Sequence, residues 1–297
     1  MEPTSRRVPG STGFDLHLLE WSTEGVPLLL LHGFGNEAHI WDDFAPAVAP
    51  YYRTLALDHR GHGDSGWDPE GRYAIDCYVD DVEAVTAELD IERLVLVGHS
   101  LGGRVSTVFA GRHPERVAGL VLVDIGPELD ARGILRISQE TTSSVSPVFD
   151  TPEEYARLLS LHYPAATAQA IQRMARHGLR QRDDGRYELK QDPVLRGAMS
   201  SAETEAAVRE ESLVEEQWEA LRKIPAPTLV VRGAASDVFA PDVADRMADD
   251  VLQNGHLAVV AQAGHSVMTD NPDGFRSAVT AFVLADEEAQ PAPGQPR

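Results

Sequence analysis

Residues 94 to 112 constrain this chain more than any other stretch. Leu94-Val95-Leu96-Val97 is an apolar run suited to a buried strand, Leu101 to Arg112 is compatible with a helix, and Gly98-His99-Ser100-Leu101-Gly102 joins them. A strand that becomes a helix within so few residues must turn sharply. Glycines on both sides of Ser100 predict a corner where main-chain segments come too close for a Cβ. The serine hydroxyl is then held out of the sheet, next to the positive end of a helix, with the Leu101 N–H free to bind an oxyanion. That arrangement suits covalent acyl transfer.

Strands and helices alternate around this corner. Leu16 to Trp21, Val26 to Leu31 and Thr54 to Leu57 read as early strands, and Tyr78, Val82, Val85 and Leu89 recur at helical spacing with acids on the other face. Val117 to Val123 reads as another buried strand. Such alternation implies a parallel sheet. The pattern breaks from about Gly126 to Glu216, where helical stretches such as Pro152 to Leu161 and Ala165 to Leu179 occur without buried strands between them. It resumes with a helix near Trp218 to Arg222, a strand at Thr228 to Val231, a helix at Pro241 to Asp249, a strand near Leu257 to Val260 and a helix from Asp273 to Leu284. The expected division is a core of residues 1–126 and 216–286, a helical cap or lid over 127–215, and a disordered tail over 287–297 rich in Pro, Gly, Gln and acid.

Composition narrows the partners. Against 26 Lys and Arg stand 47 Asp and Glu, a formal charge of -21 in 297 residues. Such a field repels nucleic-acid backbones and anionic membranes, so the expected partner is a small-molecule substrate, with neither nucleic acid nor membrane; oligomeric state is left open. The single cysteine, Cys77, allows no intramolecular disulfide and no thiolate cluster. With no apolar segment after Arg6 and Arg7, a cytoplasmic location is expected.

A serine nucleophile needs a base, and Ala263-Gly264-His265-Ser266 supplies one late in the chain, after the last strand. The imidazole needs an acid to hold its tautomer. Asp237, after the Thr228–Val231 strand, is placed first; Asp124, in Val123-Asp124-Ile125-Gly126-Pro127, is the alternative, because both lie between Ser100 and His265 in the chain. A second oxyanion donor is expected at the Phe34 N–H in Leu31-His32-Gly33-Phe34-Gly35, where Gly33 and Gly35 let the chain bend toward a substrate. The Phe34 ring is expected at the acyl pocket, and His32 hydrogen-bonds within the loop. His99 packs beside the nucleophile and is not the base. Asp58-His59-Arg60-Gly61-His62-Gly63-Asp64-Ser65-Gly66 holds two histidines and two carboxylates, yet its glycines favour a scaffold of turns, with Asp58 against Arg60 and His62 as a strut, over a metal site. In the cap, Arg173, Arg176 and Arg180 share one helical face; they either meet a substrate carboxylate or pair with nearby acids.

Taken in chain order, the His-Gly loop, the Asp-His-Arg-Gly-His-Gly-Asp-Ser run, the elbow and the histidine loop resemble the α/β-hydrolase superfamily over about residues 14 to 285. The resemblance implies an α/β fold with an eight-stranded, mostly parallel sheet, helices on both faces, a helical cap, and a Ser-His-Asp mechanism with no cofactor and no metal. Relatives that cleave haloalkanes or epoxides carry aspartate at the elbow, which Ser100 argues against. The Val-Asp-Ile-Gly-Pro segment resembles small esterases and an amide hydrolase of vitamin B6 breakdown whose acid sits at the Asp124 position. The expected activity is hydrolysis of a small or medium carboxylic ester. Lactone, amide or carbon-carbon hydrolysis would use the same residues, and a slow-turnover ligand receptor is the reading outside catalysis.

Overall fold

The apolar runs become neighbours in one sheet. The computed structural model describes residues 1–142, 147–198 and 205–285. The strands are β1 (Thr4–Pro9), β2 (Asp15–Glu20), β3 (Val26–Leu31), β4 (Tyr52–Leu57), β5 (Leu94–His99), β6 (Val117–Val123), β7 (Val148–Phe149), β8 (Leu179–Gln181), β9 (Tyr187–Leu189), β10 (Thr228–Gly233) and β11 (Gly255–Val260). Eight of them form the main sheet in the order β1-β2-β4-β3-β5-β6-β10-β11. The six strands from β4 to β11 pair in parallel, whereas β2 runs antiparallel to both β1 and β4.

Both faces of the sheet are covered, which explains strands that are apolar at every position. Leu29, Leu31, Leu94 and Leu96 pack with Val82, Val85, Val105 and Phe109 from helices Ile75–Glu88 and Leu101–Arg112. Their neighbours Leu28, Leu30, Val95 and Val97 point the other way, toward Trp41, Phe44, Phe275 and Val279. Each such side chain contributes about 1.5–3 kcal/mol on burial, so the central strands hold the sheet rigid beneath the loops at their C-terminal ends.

Strand β1 has no sequence signal, because five of its six residues are exposed and no alternation marks it. Its register comes from pairing with β2, from Thr4 opposite Glu20 to Pro9 opposite Asp15. After β6 the chain leaves the sheet and returns at β10. Between them stand helices Ala131–Thr142, Pro152–His162, Ala168–His177, Pro193–Ala198 and Glu205–Arg222; the second and third pack through a small cluster of Ala156, Leu159, Ile171, Met174 and Ala175. Thr151 and Thr167 cap two of these helices by accepting from the Glu154 and Ala170 amides. The insertion also contains a three-stranded antiparallel sheet, β7-β9-β8, which an all-helical expectation missed. Its strands are only two or three residues long, too short for a period of two to register. The helix read at Pro241 to Asp249 is α-helical over Pro241–Asp245 and a π-helical turn over Arg246–Val251. The tail expected to be disordered, 287–297, lies outside the described residues.

The glycine-punctuated loop from Asp58 to Gly66 docks the insertion. Lys190 Nζ pairs with Asp64 at 2.8 Å, the Asp192 N–H donates to the Gly61 carbonyl at 2.9 Å, and His62 bridges to Gln191. Its internal pairing differs from the expected one. Asp58 is buried against His17, with Nδ1 to Oδ2 at 2.7 Å, and accepts from the Ala38 and Asp64 amides. Arg60 turns instead to Asp81 and Asp68, two buried carboxylates whose position in the fold gave no local signal.

Candidate active site

The corner at Ser100 is as tight as its glycines require. Ser100 has φ 50° and ψ -114°, in the left-handed half of backbone space that costs a residue with a Cβ of order 1–3 kcal/mol. A Cβ at Gly98 would lie 2.4 Å from the Gly102 carbonyl oxygen, and one at Gly102 would lie 2.2 Å from that of Leu31. Packing of β5 against β3 and β6 holds the strained turn in place, and Ser100 lines a cavity of about 620 Å³ between strand ends and insertion.

His265 reaches the serine from the loop after β11. Its Nε2 lies 3.1 Å from Ser100 Oγ, and its Nδ1 lies 2.9 Å from Asp124 Oδ2. A carboxylate only accepts, so Nδ1 donates and Nε2 presents a lone pair to the hydroxyl. The carboxylate brought to the imidazole is therefore Asp124, and the order of preference drawn from the sequence is corrected. Parallel pairing of Val123 with Val231 sets Asp124 beside the turn after β10, where the Gly233 N–H donates to Oδ1 at 2.9 Å and the Ser236 hydroxyl to Oδ2 at 2.5 Å. Asp237 also borders the cavity, but its carboxylate receives Arg136 Nε at 2.7 Å and Nη2 at 2.8 Å; Arg136 holds it below the usual carboxylate range. Ser236 went unnoticed in the sequence because nothing local links it to a residue 112 positions earlier.

Leu101 follows the serine as the first residue of the helix Leu101–Arg112. Phe34 lines the cavity, and among the described residues neither the Phe34 nor the Leu101 N–H donates a hydrogen bond to the protein. Gly33 closes the loop beneath them, its carbonyl accepting from the Asn36 N–H at 3.2 Å and from His32 Nδ1 at 2.7 Å. His32 accepts from the His59 N–H at Nε2, so it is a neutral strut. His99 is buried beside His265 and donates from Nε2 to the His265 carbonyl at 2.9 Å. Burial pushes its imidazole down to about 3, which leaves it neutral and unsuited to act as a base.

The insertion supplies apolar lining to the cavity through Ile137, Phe149, Tyr155, Leu158 and Leu161. The basic stretch does not reach this lining. The helix ends at His177 with Arg173 and Arg176 in it, while Arg180 lies in β8, so the three do not share one helical face; Arg173 pairs with Asp43 at 2.8 Å, and Arg180 pairs with Glu188 and lies over Trp67. Among the described residues, two groups of possible metal ligands stand outside the cavity. In one, His17, Asp58 and Asp64 are engaged by the hydrogen bonds and the Lys190 pair already described. In the other, His39 stacks on His177 with ring planes 26° apart, so in-plane lone pairs from both rings do not converge on one ion.

The model of the α/β hydrolase fold family matches residues 26–272. This chain belongs to the α/β-hydrolase fold family. Its eight-stranded sheet and the elbow geometry agree with that membership, and hydrolases recur among its relatives. It is 28% identical over 264 residues to a 2-(acetamidomethylene)succinate hydrolase of Mesorhizobium japonicum, covering 88% of this chain and 89% of that one. It is 26% identical to an esterase of Mycobacterium tuberculosis, over 86% of this chain and 81% of the esterase. A crystal structure of E-2-(acetamidomethylene)succinate hydrolase superposes with a TM-score of 0.81 at 25% identity, over 95% of this chain and 99% of that one. The chain is thus a hydrolase of the α/β type. No helix among the described residues is long and apolar enough to cross a membrane.

Proposed function

We propose that this hydrolase cleaves a small or medium carboxylic ester through an acyl-enzyme on Ser100. The observation that carries the reading is the continuous line from Ser100 Oγ through His265 to the buried Asp124 carboxylate, at 3.1 and 2.9 Å, opening on a largely apolar cavity. His265 Nε2 takes the hydroxyl proton as Ser100 Oγ bonds to the ester carbonyl carbon. The carbonyl oxygen becomes an anion and is received by the Phe34 and Leu101 amides. Collapse of this intermediate breaks the bond to the alkoxy group, which leaves with the proton returned by His265. Water then attacks the acyl-serine with the same base, and the acid product departs. Asp124 keeps Nδ1–H directed away from the serine and stabilises the imidazolium formed in each half.

A cavity of this size suits a compact acyl or alcohol group, with the insertion acting as a cap that limits water around the ester. The test is turnover of a short-chain p-nitrophenyl ester with pre-steady-state detection of nitrophenol. An initial burst in the native enzyme that vanishes in Ser100→Ala supports the reading; turnover that survives that substitution sinks it.

Amide hydrolysis is the second reading, favoured by similarity to the 2-(acetamidomethylene)succinate hydrolase over nearly nine-tenths of the chain. The same groups would serve, with His265 protonating a departing nitrogen. A matched ester and amide pair distinguishes the two by their kcat/KM.

A further inference from the structure

Asp270 borders the cavity but has no part in the reaction as written above. It ends the four-residue helix Val267–Asp270, five positions after His265. Its Oδ2 accepts the Gly264 N–H at 2.8 Å, so it grips the Ala263–Gly264 peptide unit, one residue ahead of the histidine. The short helix is held from both sides. Ser266 accepts the Thr269 and Asp270 amides within it, and the Thr269 carbonyl accepts the Thr167 N–H, at 3.0 Å, from the start of the insertion helix Ala168–His177.

The groups facing His265 come from four elements. Asp124 at the end of β6 bonds to Nδ1, and Ser100 at the elbow faces Nε2. His99 at the end of β5 lies with its ring centroid 4.8 Å away and is neutral. Asp237, in the loop after β10, interacts with the histidine at longer range, its charge offset by Arg136. Asp270 is the third carboxylate of this group among the described residues; burial raises it, while the Gly264 amide, Thr269 and the attraction of His265 pull it back.

We infer that Asp270 is a positioning residue for the proposed base: it fixes the Ala263–Gly264 peptide that leads into His265 by hydrogen bond and supplies a second negative charge that stabilises the imidazolium. The inference rests on the acyl-enzyme reading for its kinetic consequence, although its electrostatic part does not. Both side chains line one cavity, and attraction between a carboxylate and an imidazolium is mutual, so an ionised Asp270 favours the charged imidazole.

Asp270→Asn separates the two contributions, because the side-chain amide oxygen still accepts from Gly264 while the charge is gone. His265 is followed by NMR titration of its ring Cε1–H in Ser100→Ala and in Ser100→Ala/Asp270→Asn. The expected result is a titration midpoint lower by about half a unit to one unit in the second protein. In the enzyme with Ser100 intact, the acid limb of the kcat/KM profile moves to lower pH by the same amount, and Asp270→Ala lowers kcat further with KM held. Superimposable NMR titrations overturn the inference, whatever the esterase assay gives. Turnover that is independent of Ser100 instead overturns the acyl-enzyme reading and leaves the NMR result standing.

Discussion

Two aspartates stand at the C-terminal ends of adjacent strands, and the fold treats them differently. Asp124, after β6, is fully buried and receives a backbone N–H, a serine hydroxyl and an imidazole. Asp237, after β10, is 38% exposed and joined to an equally exposed guanidinium. Both lie between the nucleophile and His265 in the chain, but only Asp237 lines the cavity. What separates them is donor geometry: a buried carboxylate is tolerated only where hydrogen bonds replace water, and those same bonds aim its second oxygen at the imidazole.

The comparison is broken most directly by exchanging the two carboxylates for amides. Asp124→Asn is expected to reduce kcat by about 10⁴, as loss of the tautomer-fixing acid does in serine triads, whereas Asp237→Asn stays within roughly a few-fold. Steady-state kinetics on the same ester measure both. If Asp237→Asn carries the large loss, the roles assigned here are reversed.

The buried side of the comparison also predicts an acid sensitivity. His59, His99 and His62 are held down to about 3, about 3 and about 4, mainly because burial disfavours their charged forms. An unfolded imidazole takes up a proton below about 6.5, so between there and about 4 the unfolded chain binds more protons than the folded one. Stability therefore falls on acidification through that window, by up to ~1.4 kcal/mol per pH unit for each histidine and ~4 kcal/mol for the three. Urea unfolding at pH 7, 6 and 5 measures this, and a flat profile contradicts it.

Ser236→Ala sharpens the contrast from the donor side. It removes one hydrogen bond to a buried charge while leaving the Gly233 amide, so kcat is expected to fall roughly tenfold. An unchanged kcat shows that Gly233 and His265 suffice to hold Asp124. The smallest effect belongs to the exposed pair. Disrupting Arg136 and Asp237 is expected to cost about 0–1 kcal/mol at neutral pH, read by urea midpoints. Arg136 depresses Asp237, so this contribution is present above the ordinary carboxylate range and disappears as pH falls through the folded value.

Legibility followed range. The elbow was readable because strand, corner and helix occupy nineteen consecutive residues, and because Gly98 and Gly102 answer a local steric demand. β6 and the helix Leu101–Arg112 have the expected bounds for the same reason. The scaffold role of the Asp58–Gly66 loop was legible in outline, but Arg60 chose Asp81 and Asp68, and Asp58 chose His17, partners supplied by other elements. β1 and the strands β7, β8 and β9 left no pattern, because exposed or very short strands owe their existence to a partner.

By itself the order of residues determined a mostly parallel α/β sheet with a serine on a strained corner and a histidine on a late loop, since backbone sterics and apolar periodicity act over a few neighbours. Which acid meets the imidazole, where the insertion's arginines turn, and how Ser236 braces the site were decided only when distant parts of the chain packed together. Hydrogen bonds to buried charges depend on ångström-scale placement, and that placement arises from packing across more than a hundred residues of chain.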